Sequence, residues 1–242
     1  MRETVFKALV GSHNYNLADK NSDKDYKVFV LPTFEDLYNG VQYSKQTVGV
    51  EEDLDIHDIR KIVNLFYKSN INFIEVLFSN EVDVGKSLKP SQKKLVNEIF
   101  SLRDEIVKMN LPYLYNACGG MYYNKMKLMY KGTEGTQHLV DEYGYDTKQA
   151  QHAYRVINFI ERFESLGFKD FKRAIAYDFT DRNFMMEIKR GFFTPDEFSN
   201  FITFYHDAKF KQLKEKYHSF SPNEELKEHL SELVVKIVKH GM

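Results

Sequence analysis

The feature that most constrains this chain is a glycine-serine turn between two apolar segments, with two aspartates at the start of the second segment. Residues 5–10 have the length and β-branched content of a buried strand, and this strand ends at Gly11–Ser12. Residues 26–31 form the second predicted strand, which directly follows Asp23 and Asp25. Side chains two residues apart on a strand share a face. We therefore predict that both carboxylates project together toward the Gly11–Ser12 turn.

Two carboxylates that share one face repel each other unless a cation lies between them. Asp23 and Asp25 therefore predict a divalent metal site beside a phosphate-binding turn. A third carboxylate is available on the strand predicted over residues 47–57, because its apolar side chains alternate with a polar row that contains Asp53 and Asp55. An isolated Asp-x-Asp pair is common in surface turns, so the prediction depends on the combination of turn, strands and third acid.

Composition limits the class of protein. A chain of 242 residues with 43% apolar content can form one large domain or two small ones. The formal net charge of −1 indicates no general attraction to nucleic acid, so RNA or DNA would need a local basic patch. No segment approaches the roughly 20 apolar residues of a membrane helix, and the first residues do not resemble a signal peptide. We expect a cytoplasmic protein without membrane contact.

The pattern of apolar residues changes near Pro90, where helical periodicity replaces the strand pattern. We expect an α+β fold, with a mixed β-sheet and helices over residues 1–88 and a helical domain over residues 89–242. Within the first domain, Asp58 is a good N-cap and predicts the start of a helix. Residues 73–78 are apolar enough for the core, but their pattern fits a helix and a strand equally well.

Together, the Gly-Ser turn, the aspartate pair and a third carboxylate on a neighbouring strand resemble the nucleotidyltransferase signature of the DNA polymerase beta superfamily. Further motifs are similar to a family of predicted nucleotidyltransferases, with bacterial and phage members, that includes the RNA-repair-ligase-associated polymerase. These motifs are residues 53–61, Asn70 before residues 73–77, residues 143–155 and residues 188–191. The family usually has glycine where this chain has Asn16, and asparagine tolerates a left-handed backbone better than most residues.

The resemblance, which spans about residues 8–192, implies a two-metal nucleotidyltransferase. Asp23 and Asp25 would bridge two Mg²⁺ ions, and Asp55 would hold the ion that activates the acceptor hydroxyl. Asp53 shares the face of Asp55 and is the alternative third metal ligand. The reaction would move a nucleoside monophosphate from an NTP to a hydroxyl and release pyrophosphate. The N-terminal domain would be of the nucleotidyltransferase type, and the helical domain would close the active-site cleft.

The resemblance also implies nucleotide-binding residues. The Gly11–Ser12 turn would hold the β- and γ-phosphates of the NTP through the serine hydroxyl and the backbone amides. Lys148, His152 and Arg155 fall within about one third of the helical circumference and would bind the triphosphate from the second domain. The alternative for these three residues is a solvated basic face. Glu75 also resembles a family position, and a paired structural acid is the alternative there.

The sequence leaves the acceptor open. An RNA end or a tRNA is the first expectation, and a protein or a small molecule is the lesser one. Two other classes of function stay open as well. One is a regulatory nucleotidyltransferase of the toxin–antitoxin type that modifies or binds a partner protein, and the other is a catalytically silent nucleotide- or RNA-binding module. Three unpaired carboxylates on one face would favour an active enzyme over a silent one.

Overall fold

A computed structural model describes residues 2–20, 22–49 and 52–241. Five of its segments form one sheet in the order β3-β4-β2-β1-β5. The strands are β1 (Thr4–Val10), β2 (Lys24–Val30), β3 (Ser44–Thr47), β4 (Glu52–Asp58) and β5 (Val82–Val84). β1 runs antiparallel to β2 and β5, whereas β4 is parallel to β2 and antiparallel to β3. The predicted mixed sheet is confirmed.

Helices account for most of the remaining described chain. They are α1 (Phe34–Tyr38), α2 (Ile62–Tyr67), α3 (Ile71–Ile74), α4 (Pro90–Ser101), α5 (Arg103–Ile106), α6 (Leu111–Met129), α7 (Gln137–Tyr143), α8 (Thr147–Ser165), α9 (Phe171–Ile175), α10 (Phe179–Lys189), α11 (Pro195–Tyr205), α12 (Lys214–His218) and α13 (Glu224–His240). Short 3-10 turns cover Gly11–His13, Ile59–Lys61, Glu75–Phe78 and Lys211–Leu213, and a π-helical turn covers His206–Phe210. The α+β class is confirmed.

Local sequence signals explain several element boundaries. Asp58 begins a helical segment as predicted, because its Oδ1 accepts a hydrogen bond from the N–H of Arg60 at 2.9 Å. Residues 73–78 are helical, since Asn70 Oδ1 accepts from Asn72 N at 3.0 Å and caps the segment that follows. Of the strand predicted over residues 47–57, Thr47 ends β3, β4 begins at Glu52, and residues 50 and 51 lie outside the described residues.

Contacts divide the chain into two compact units. Unit 1 comprises Met1–Asn110 and Pro222–Met242, and unit 2 comprises Leu111–Ser221. This division differs from the boundary expected at residue 88. The change from strand to helix periodicity marks a change of secondary structure, but α4, α5 and α13 belong with the sheet in unit 1.

Side-chain contacts explain why α4 and α13 belong to unit 1. The ring of Phe100, on α4, lies edge-on to Phe6 of β1 at 5.2 Å between centroids, and Phe6 stacks on Phe29 of β2 at 4.7 Å. Gln92 Nε2, near the start of α4, donates to the carbonyl of Ile237 on α13 at 3.0 Å. The buried faces of these helices therefore complete the core of the sheet.

In unit 2, helix α8 begins at Thr147, with Asp146 Oδ1 accepting from Gln149 N at 3.0 Å. Its apolar stripe is buried, from Ala153 to Phe163. Among residues 2–20, 22–49 and 52–241, no helix combines the length and the apolar character needed to cross a membrane.

Candidate active site

The parallel register of β2 and β4 decides which acidic side chains are neighbours. Asp25 lies directly across from Asp53, and Lys27 lies directly across from Asp55. Adjacent strands are about 4.8 Å apart, and residues in register project to the same face. Asp25 and Asp53 are each half-buried. The structure therefore forms a carboxylate pair at the start of β2, with one member on each strand.

The glycine-serine turn lies against this pair. Val10, the last residue of β1, is in register with Asp25, and Gly11 follows with a left-handed φ of 74°. A Cβ at residue 11 would lie 2.9 Å from Asp25 Oδ2, closer than a real side chain permits. Glycine is therefore required both by the backbone conformation and by the space that the Asp25 carboxylate takes.

Asp23 differs from the expectation that it shares a strand with Asp25. β2 begins at Lys24, so the alternation of a pleated strand does not fix the direction of the Asp23 side chain, which is exposed. Within the described ranges 2–20, 22–49 and 52–241, no group of three or more His, Cys, Asp or Glu side chains is close enough together to hold a metal ion.

Both carboxylate oxygens of Asp55 have protein partners. Lys27 Nζ donates to Oδ2 at 2.6 Å, and His57 Nε2 lies 2.9 Å from Oδ1. Burial raises the pKa of Asp55, but the contacts with His57 and Lys27 outweigh burial and bring the pKa down to about 2. Phe73, on α3, covers this group, with Lys27 Nζ 4.2 Å from its ring centroid. Asp55 is therefore an ionised partner of two basic groups.

Asp53 accepts fewer hydrogen bonds from the protein than Asp55 does. Its Oδ1 accepts a hydrogen bond from the N–H of Gly49 at 3.1 Å, and its Oδ2 takes no part in that bond. Because Asp53 is in register with Asp25, it is better placed than Asp55 to share a cation with Asp25. The alternation of residues along β4 could not separate these two acids, since both project from the same face.

The turn itself is held by Glu75, which is 2% exposed. Its Oε2 accepts from Gly11 N at 3.0 Å and from Asn14 Nδ2 at 3.2 Å, and its Oε1 accepts from the Tyr15 hydroxyl at 2.6 Å. The Gly11 amide, expected to bind phosphate, is thus hydrogen-bonded within the protein. Asn16 has a φ of 58°, in the left-handed region that asparagine tolerates better than most residues.

A separate basic cluster lies in unit 2, on the first turns of α8. Lys148 is exposed, His152 is half-buried and Arg155 is 8% exposed. Thr147 Oγ1 donates to the carbonyl of Lys189 at 2.8 Å, so the end of α10 lies beside the start of α8. Lys189, at the end of α10, is therefore near Lys148, at the start of α8.

Helix α6 adds Lys125 to this cluster. The N–H of Asp146, just before α8, donates to the carbonyl of Met129 at 2.8 Å, and Lys125 lies about one turn earlier on α6. Burial lowers the pKa of Lys125, and the charge of Arg155 lowers it further. Sequence reasoning missed Lys125, because no local pattern shows which helices pack together.

The electrostatics of the cluster act most strongly on His152. Burial lowers its pKa well below the ordinary histidine value, and the positive charges of Arg155, Lys125, Lys148 and Lys189 lower it further. The imidazole is therefore neutral at pH 7. Positive groups from three helices surround it, which is an arrangement suited to binding an anion.

Comparison with known proteins agrees with this arrangement of motifs. The sequence matches the profile of the RNA repair pathway DNA polymerase beta family (RlaP) over residues 2–160. The chain belongs to that family. A search of the curated proteins returned no match.

The RNA repair pathway DNA polymerase beta family is a family of polymerase-beta-type nucleotidyltransferases. Membership of it implies a nucleotide substrate. The matched region contains the whole sheet, Glu75 and the part of α8 that carries Lys148, His152 and Arg155. The similarity suggested for residues 188–191 lies beyond the match.

The metal ion that the RNA repair pathway DNA polymerase beta family implies can be tested against the residues present. Magnesium prefers carboxylate and water oxygens, which Asp25 and Asp53 supply. The absent Cβ of Gly11 leaves room for the Asp25 carboxylate at the open end of β1. The donor chemistry of Asp25 and Asp53 therefore suits Mg²⁺, and Asp53 is better placed than Asp55 to act together with Asp25.

Proposed function

We propose that the protein transfers a nucleoside monophosphate from an NTP to a hydroxyl acceptor and releases pyrophosphate. The observation that carries this proposal is the register of Asp25 with Asp53 on adjacent parallel strands, beside a turn with space for the Asp25 carboxylate. Two carboxylates in register on adjacent strands repel each other, and a shared cation would relieve this repulsion. Family membership supports the same class of reaction.

The roles of the acidic residues follow from their surroundings. Asp25 and Asp53 would hold Mg²⁺, and Asp23, which is exposed just before β2, would have to turn toward them to become a further ligand. Asp55, the expected third ligand, instead fixes Lys27 and His57 beside the pair. When bound, two Mg²⁺ ions supply electrostatic stabilisation of the attacking and leaving oxygens of an in-line displacement.

The protein's own contribution is to hold the two substrates in line. The Ser12 hydroxyl, next to Gly11, orients the phosphate groups of the NTP. The acceptor oxygen forms a bond to the α-phosphorus, the bond from that phosphorus to the bridging oxygen breaks, and pyrophosphate leaves with the electron pair. The hydroxyl proton passes to water.

The basic cluster of unit 2 is proposed as an anion site in its own right. Lys148, His152 and Arg155 bind phosphate groups, and Lys125 and Lys189 add to the positive charge there. The support is the convergence of basic groups from α6, α8 and α10, together with the lowered pKa values of His152 and Lys125, which burial and nearby positive charge cause. A bound phosphate would relieve the repulsion among these groups.

An RNA end is the acceptor that we propose first, because the matched family is described by its role in RNA repair. The net charge of −1 makes a long nucleic-acid track an unfavourable partner, so the proposed contact is with a terminal nucleotide. A tRNA end has the same chemistry.

The proposal is tested by incubating the full chain with Mg²⁺, each α-labelled NTP and an RNA oligonucleotide with a free 3′-hydroxyl. Asp25→Asn should reduce label transfer by about 100-fold or more, the size of effect expected for loss of a group that stabilises the transition state. Asp83→Asn is the matched control, because Asp83 is an exposed acid on β5 in register with Lys7, on the other face of the sheet. Equal transfer by wild type and Asp25→Asn would contradict the proposal.

Repeating the reaction with a host lysate identifies the acceptor class. Label in nuclease-sensitive material supports RNA as the acceptor. Label in a single protease-sensitive band would instead favour a regulatory enzyme that modifies a partner protein, and label in low-mass material would favour a small-molecule acceptor.

A further inference from the structure

Glu75 is a buried acid in an apolar surrounding. It begins the 3-10 turn Glu75–Phe78, and its chain neighbours Ile74 and Val76 are each 0% exposed. A buried carboxylate is costly unless hydrogen bonds compensate for the lost water. Hydrogen bonds to Glu75 therefore matter to the stability of this region, and the residues that donate them show which segment the acid holds.

Three donors to Glu75 come from one five-residue segment. Gly11 donates through its backbone N–H, Asn14 through its side-chain amide and Tyr15 through its hydroxyl. The two oxygens of Glu75 thus bind both ends of the segment at once, across 60 to 64 positions of sequence. A carboxylate accepts several bonds in this way, whereas a neutral amide in its place has one acceptor oxygen and two donors.

Asn14 fixes the same segment from its other side. Its side-chain amide also donates to the carbonyl of Leu9 at 2.9 Å, and its Oδ1 accepts from the N–H of Asn80 at 3.2 Å. The segment from Gly11 to Tyr15 is therefore tied to β1 and to the chain that follows Glu75. Its shape depends on polar contacts at its base.

The backbone position of Gly11 has a direct effect on Asp25. The carboxylate of Asp25 occupies the space next to the Gly11 Cα, where an added Cβ would lie 2.9 Å from Oδ2. Glu75 holds the N–H of the same glycine beside which the Asp25 carboxylate lies. The position of the turn therefore limits the space that is available to Asp25.

We infer that Glu75 is a positioning residue, which holds the Gly11–Tyr15 turn so that Ser12 meets the phosphate groups of the NTP and Asp25 keeps its place. This inference rests on the proposed nucleotidyl transfer. Glu75 is not a catalytic residue, because its negative charge would repel phosphate and its oxygens already accept bonds at the base of the turn. It takes up the Gly11 N–H, so the nucleotide contacts of the turn come from Ser12.

The direct test is Glu75→Gln in the full chain. Glutamine keeps the shape of the side chain but places donors opposite the donors of the turn. We expect the KM for the NTP to rise by about 10–100-fold, the usual range when a residue that orients a binding group is replaced, with a smaller change in kcat. Amide hydrogen exchange in residues 11–15 should become faster.

Asp36→Asn is the matched control for general destabilisation. Asp36 is also a buried acid of unit 1, 6% exposed, and it accepts from Arg2 Nε at 2.9 Å and from Thr33 N at 2.9 Å. This variant should lower stability without changing the KM for the NTP or the exchange of residues 11–15. An equal rise in KM for both variants would overturn the inference.

If Glu75→Gln does not fold, Tyr15→Phe provides a second test of the inference. It removes the hydroxyl that donates to Glu75 Oε1, and we expect a rise of a few-fold in KM with faster exchange in the turn. Folded Glu75→Gln or Tyr15→Phe protein with unchanged KM and unchanged exchange would refute the positioning role. If wild type transfers no label, the proposed function fails, whereas the exchange of residues 11–15 still decides whether Glu75 holds the turn.

Discussion

The carboxylate of Asp25 fills the space that a side chain at residue 11 would need. A Cβ there would lie 2.9 Å from Asp25 Oδ2, and the φ of Gly11 is 74°. The turn and the acid have therefore become interdependent, although 14 positions separate them in the sequence. This relationship can be tested at the glycine without changing any polar group.

Gly11→Ala should abolish nucleotidyl transfer and lower the free energy of unfolding. Alanine in a left-handed conformation costs about 1–2 kcal/mol, and the new Cβ would also displace Asp25. Gly40→Ala is the control, because Gly40 has a similar φ of 65° with nothing within 4 Å of the added Cβ. Urea unfolding should show a loss of stability in both variants, larger in Gly11→Ala, while only Gly11→Ala loses label transfer. Equal activities would contradict the prediction.

Asp53→Asn should impair transfer more than Asp55→Asn. Asp53 is in register with Asp25, so its loss should cost about 100-fold or more in activity. Asp55 acts through Lys27 and His57, for which about 10–100-fold is the expected range. The Mg²⁺ concentration for half-maximal activity should rise mainly in Asp53→Asn. The opposite order would restore Asp55 as the third metal ligand.

Lys125→Gln should weaken ATP binding, measured by calorimetry on the full chain. A hydrogen bond to a charged group contributes about 1.5–3 kcal/mol, which corresponds to roughly tenfold or more in affinity. Lys127→Gln, two positions along α6 at an exposed site, should bind ATP like wild type. Because burial of the Lys125 charge is unfavourable, the first variant should be no less stable than wild type. Equal affinities in the two variants would exclude Lys125 from the anion site.

His152 should make the fold less stable in mild acid. Its pKa is lowered in the folded protein, first by burial and then by nearby positive charge, so below about pH 6.5 the unfolded chain binds a proton that the folded chain does not. The stability of the wild type therefore falls as the pH falls below that value. One such proton contributes at most about 1.4 kcal/mol per pH unit.

Replacement by glutamine isolates this effect. The free energy of unfolding of His152→Gln, measured in urea between about pH 5 and about pH 7.5, should depend less on pH than that of the wild type. All other titrating groups are common to both proteins, so the difference in slope reports His152. Identical slopes would mean that His152 is not buried among positive charges.

Much of the sheet could be predicted from local patterns. The strands around the Gly-Ser turn are marked by apolar runs that end at glycine and proline, so the approach of Asp25 to Gly11 followed from their order. The choice between Asp53 and Asp55 could not be made in this way. Both project from the same face of β4, and only the register of β4 on β2 separates them.

Contacts between distant segments explain what the sequence could not predict. Glu75 was open as a functional or a structural acid, and the donors that decide its role lie 60 or more positions earlier. No sequence pattern around Lys125 predicts that α6 packs beside the start of α8. The compact units do not follow the change of pattern near residue 88, because helices complete the core of a sheet as readily as further strands do.

The division of unit 1 into two chain segments also sets the order in which the protein can be completed during synthesis. Asn223 N donates to the carbonyl of Met109 at 2.8 Å where these segments meet, and α13 supplies part of the core beneath α4. The whole of unit 2 must leave the ribosome before α13 does. Domains generally fold from the N-terminus as they emerge. In this chain, unit 2 is therefore complete before unit 1. The core of the sheet that carries the carboxylate pair is complete only once α13 has been synthesised.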